Sequence, residues 1–150
     1  MRLPMLLLTA LAALAGCNPG SQSSRSVSNA WIRLPAVAGQ PAAGYVTIAA
    51  TPDHKALISV TSPSAGRIEM HETMTTGQMA GMRKLDRIAL TADEPEIRFE
   101  PAGRHLMLFD LDPNLKPGGK AILVFHFEHG GTSTLPAGIV AAGDESPYGH

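Results

Sequence analysis

Cysteine is nearly absent from this chain: there is one in 150 residues, Cys17, and none after it. A lone cysteine forms no internal disulfide. A blue-copper electron-transfer centre, which needs a thiolate inside the folded domain, is excluded as well. Aromatic residues make up only 5%, and charged residues 17% with a formal net charge of −1. No basic run occurs, so nothing points to nucleic acid as a partner. No apolar stretch reaches the roughly 20 residues of a membrane-spanning helix. GxSxG and Gly-rich phosphate loops are missing too, and the reading is that the chain is not an enzyme. Twelve prolines, and no window with a capped helical period, argue against helices.

What is present falls into four segments. Residues 1–17 read as a leader: Arg2, then an apolar run from Leu3 to Ala15 of signal-peptide length. It ends Leu14-Ala15-Gly16-Cys17, which resembles a bacterial lipobox. Such a leader is cut before the cysteine, so Cys17 is the expected lipidation site, and several acyl chains give firm membrane attachment. Asn18 after it suggests sorting to the outer membrane of a Gram-negative cell, facing the periplasm. Residues 18–28 are Ser-rich and form a flexible tether. Residues 29–140 make one domain, long enough to bury a core without disulfides. Residues 141–150, short and acidic, read as a disordered tail.

Within the domain, short runs rich in β-branched and aromatic residues alternate with Gly, Pro, Asp and Asn. This spacing predicts an all-β sandwich or small barrel. Strands are expected near 30–34, 44–50, 57–62, 67–73, 82–88, 96–100, 105–111, 120–128 and 132–135. In the stretch 120–128, Leu123, Phe125 and Phe127 share one side and should face the core, leaving Ile122, Val124 and His126 on the other. His54, His126 and His129 read as polar surface.

Methionine is distributed unevenly. Apart from Met1 and Met5 in the leader, all five (Met70, Met74, Met79, Met82 and Met107) fall between Arg67 and Phe109, together with His71 and His105. Methionine used as core filler would be scattered over every strand. Thioethers are soft ligands that favour Cu(I), and imidazole binds copper in either oxidation state. In His105-Leu106-Met107, strand alternation puts the His and the Met on one side. Met70, adjacent to His71, should turn inward. A catalytic zinc site would instead use His and carboxylates. In an oxidising compartment thioethers also avoid loss to disulfides.

Ten residues separate His71 from Met82, and twenty-two separate Met82 from His105. This His-x10-Met-x22-His-x-Met order resembles the PCuAC family of periplasmic copper(I) chaperones. Neighbouring stretches carry the resemblance further: Ala30-Trp31-Ile32-Arg33, Ala43-Gly44-Tyr45, Glu69-x-His71-Glu72, Gly103-x-His105-x-Met107-Leu108 and Leu115-x-x-Gly118. It covers roughly 30–140. It implies a cupredoxin-like Greek-key β-sandwich that binds Cu(I) through His71, Met82, His105 and Met107. It departs from the family in its second gap, expected one residue shorter, and in Met79-Ala80-Gly81-Met82, which offers two sulfurs. Spacing from His71 favours Met82. Met74 and Met79 are auxiliary metal ligands or plain packing, and Glu69 and Glu72 are candidates to orient a histidine. The resemblance further implies a copper-acceptor protein as partner, such as cytochrome oxidase subunit II or an assembly factor. The alternatives are a copper-buffering or tolerance lipoprotein without a dedicated acceptor, and a metal-free scaffold lipoprotein.

Overall fold

A computed structural model describes residues 26–77 and 79–149; Cys17 with the leader, and His150, lie outside the described residues. The described residues form ten strands: β1 Val27–Arg33, β2 Ala42–Ala49, β3 Ala56–Thr61, β4 Ala65–Thr76, β5 Met79–Leu85, β6 Ile88–Ala89, β7 Glu96–Phe99, β8 Arg104–Leu111, β9 Lys120–Phe127 and β10 Thr132–Val140. A 3₁₀ turn at Glu128–Gly130 joins the last two. The hydrogen-bonded order is β5-β4-β8-β7-β2-β1-β10-β9-β3-β6, and β2 also pairs with β8. Neighbours are antiparallel except β1 with β10 and β7 with β8.

This continuous sheet doubles over a single core. Ile32, Ile48, Leu106 and Leu108 from one half belong to the same buried cluster as Leu57, Leu123, Phe125 and Phe127 from the other. The result is a two-layer β-sandwich. Strand β9 shows why the pattern works: Ala121, Leu123, Phe125 and Phe127 are buried, while the residues between them are not. Each buried Phe contributes about 1.5–3 kcal/mol of hydrophobic stabilisation.

Three differences from the sequence expectation have physical causes. β4 continues to Thr76, beyond the core, because β5 pairs it from Met70↔Leu85 to Thr76↔Met79 and satisfies its backbone. Gly77, at φ +63°, opens the short connection between them. β10 runs on to Val140, pairing both β9 and β1. Finally, residues 141–149 fold back instead of forming a loose tail. The Tyr148 hydroxyl donates to the Ala30 carbonyl at 3.2 Å, and Arg33 Nε donates to the Asp144 carbonyl at 2.9 Å. This segment gains an aromatic anchor on one backbone acceptor and a guanidinium donor to one of its own carbonyls, which composition alone did not reveal.

Candidate metal centre

Strand β4 lies between β5 and β8 near one edge of the sheet, and its two registers bring the candidate ligands together. Across β4–β8, Glu69 is opposite Met107 and His71 is opposite His105. Across β4–β5, His71 is opposite Lys84 and Thr73 is opposite Met82. Met70, Leu106 and Leu108 are buried, so alternation turns Glu69, His71, Thr73, His105 and Met107 to the outer face. Met82, level with Thr73, shares that face. His71, Met82, His105 and Met107 thus occupy one side of three adjacent strands, and the two imidazole rings lie 6.0 Å apart between centroids.

Beneath them the sheet is close-packed. Gly44 on β2 faces Leu106 and Leu108, and a Cβ there would sit 3.0–3.1 Å from those side chains. A larger residue would press on the strand that carries His105 and Met107.

Each histidine has one ring nitrogen occupied and the other bare. His71 Nε2 lies 3.0 Å from Glu69 Oε2, and His105 Nδ1 lies 3.1 Å from the Gly103 carbonyl. A carbonyl and a carboxylate only accept, so in the neutral rings those nitrogens carry the protons. His71 Nδ1 and His105 Nε2 then carry free lone pairs. His71 Nδ1 is buried and has no hydrogen-bond partner. A buried polar atom without a partner is costly, and a ligand at that lone pair would relieve the cost. This is how metal-binding histidines are held, with the remote nitrogen fixed by an acceptor.

Glu69 is the electrostatic pivot. It accepts from His71, and Arg67 and Lys84 approach it at 3.4 and 3.5 Å. The His71 hydrogen bond first, then these two cations, hold its carboxyl below the usual range against the opposing effect of desolvation. It stays ionised near neutral pH and keeps the ring's proton on Nε2. Arg67 also stacks over Phe109, 4.3 Å from its centroid.

Among the described residues, no group of three or more His, Cys, Asp or Glu is gathered to hold a metal. Two neutral imidazoles and two thioethers carry no charge and suit a soft monovalent ion.

The remaining candidates fall elsewhere. Met74 and Met79 occupy the opposite face of the β4–β5 hairpin, level with Gly81 and Thr76. His54 is not plain surface: Nδ1 lies 2.7 Å from the Ser26 hydroxyl, and its ring stacks on Phe127 at 3.9 Å. His126 Nε2 pairs with Thr61 Oγ1 at 2.8 Å. The Gly103 carbonyl escaped the sequence reading, because a backbone acceptor has no residue-type signature. Its only trace was Gly103 two places before His105.

This sandwich fold is shared with solved PCuAC domains. The copper-bound PCuAC domain of PmoF2 has this fold, with TM-score 0.58 and 23% identity over 77% of this chain and 91% of that one. Cu(I)-DR1885 of Deinococcus radiodurans aligns with TM-score 0.55 and 24% identity, over 74% of each chain. These are likenesses of fold.

By sequence, the LpqE-like lipoprotein family profile matches residues 26–139, and the chain belongs to that family. It is also 28% identical over 92 residues to protein RP573 of Rickettsia prowazekii (strain Madrid E), covering 61% of this chain but only 49% of that relative, about half its length.

Proposed function

We propose that this chain is a lipid-anchored, extracytoplasmic Cu(I) chaperone. Its cargo would be held by His71 Nδ1, His105 Nε2 and the sulfurs of Met82 and Met107. One observation carries the reading: two histidines, each with one ring nitrogen bonded to an acceptor and the other free, on the same face as two thioethers. Copper in two solved proteins of this fold supports it. Membership of a lipoprotein family supports lipidation at Cys17.

An exposed site suits transfer. Met82 is 61% exposed, so an incoming acceptor ligand can replace it first, and the histidines can follow one at a time. The proposed acceptor is the dinuclear copper centre of a cytochrome oxidase, reached through subunit II or an assembly factor. Cu(I) competition titration of the wild-type chain against His105→Ala and Met107→Ala tests the site. Each variant should bind at least about tenfold more weakly, and unchanged affinity in both would refute it. Deletion should impair oxidase assembly, with rescue by added copper. Intact assembly combined with copper sensitivity would instead mark a buffering role.

A further inference from the structure

The β4–β5 hairpin carries a second pair of methionines that core packing does not explain. On the face opposite His71, successive rows across the two strands are Met70–Leu85, Glu72–Arg83, Met74–Gly81 and Thr76–Met79. Only the first row reaches the core: Met70 is 4% exposed, and Leu85 packs against the buried cluster. The second row is an ion pair, Arg83 Nη2 to Glu72 Oε2 at 2.6 Å, which Arg104 joins through the other oxygen of Glu72 at 3.5 Å. Met74 and Met79 lie beyond that charged row and are 44% and 75% exposed. Apolar side chains separated from the core by a salt bridge contribute nothing to it.

Their positions suit a shared ligand. Met79 is the diagonal cross-strand neighbour of Met74, a relation that long side chains span. Gly81, directly opposite Met74, has nothing within 4 Å of where a Cβ would be. The position opposite Met74 therefore leaves open space beside its side chain.

We propose that Met74 and Met79 form a second soft-metal site on the back of the hairpin, taking Cu(I) or Ag(I) between two thioether sulfurs. The inference rests on the soft monovalent cargo proposed for the first site, and it adds a landing point some two residues of hairpin away. Thioethers are neutral and carry no proton, so an ion moves on or off by ligand exchange alone, with no redox step or proton release. With two sulfurs and no imidazole, this site should be at least about tenfold weaker than the first. That order of affinities favours capture at the hairpin and retention on the outer face.

The test is an Ag(I) titration of the full chain labelled at the methionine methyl groups, followed by NMR. A first equivalent should move the Met82 and Met107 signals, and a second, weaker one those of Met74 and Met79. The double variant Met74→Leu and Met79→Leu, conservative in volume at exposed positions, should keep its thermal midpoint and take up one ion instead of two. His105→Ala with Met107→Ala should lose the first ion and keep the response of Met74 and Met79. Static Met74 and Met79 signals, or a second ion retained by the double Leu variant, would overturn the proposal. Static Met82 and Met107 signals would instead overturn the outer-face site, and the Met74 and Met79 signals would still decide the second one.

Discussion

At the scale of single residues, Glu69 has the largest leverage on the site without being a ligand. Its carboxylate fixes which nitrogen of His71 bears the proton, and so which one is free for a metal. Glu69→Ala should weaken Cu(I) binding by about 10–100-fold, the usual cost of removing such an acceptor. Glu69→Gln, which keeps an acceptor oxygen, should recover part of the loss. Competition titration checks both, and equal affinities for Ala and wild type would mean that the ring is oriented by something else. In the sequence Glu69 stood beside Glu72 as one of two candidates to orient a histidine. Alternation decides it: Glu69 shares the face of His71, whereas Glu72 points the other way, to Arg83 and Arg104.

At the scale of elements, whatever depended on a strand's own period was legible. His105 and Met107 share a face, Phe125 and Phe127 point inward, and Met70 is core, all because side chains alternate every residue. The pairing of β4 with β8 was not legible, since residues 71 and 105 meet through a non-local register that no local signal encodes. The same holds for the 3₁₀ turn after β9, where Glu128 receives Arg87 at 2.8 Å and links the β5–β6 connection to the end of β9. The Arg87 hydrogen bond pulls the Glu128 carboxyl below its ordinary value. A carboxyl lowered in the folded state adds stability above its unfolded value, and that stability is lost as pH falls through the folded one. Wild type should therefore lose its small advantage over Glu128→Gln as pH drops below about 4.3. Denaturant melts from pH 6 to pH 3 would show the two curves converging, whereas a constant offset would contradict the linkage.

At the scale of the whole molecule, the proposed chaperone combines a lipid anchor at Cys17, a tether and one sandwich whose outer face would hold the metal. Replacing Cys17 with Ser should release the protein from membranes into the soluble fraction, because the proposed anchor is the acylated cysteine. A wild-type protein found wholly soluble would remove lipidation from the account. The central claim is the ligand set, and X-ray absorption at the copper edge tests it most directly on the Cu(I)-loaded chain. The account predicts two nitrogen scatterers at roughly 2.0 Å and two sulfur scatterers at roughly 2.3 Å, the distances usual for imidazole and sulfur ligands. One sulfur should disappear in Met107→Ala and one nitrogen in His105→Ala. A nitrogen- and oxygen-only shell, or a spectrum unchanged by both substitutions, would contradict it.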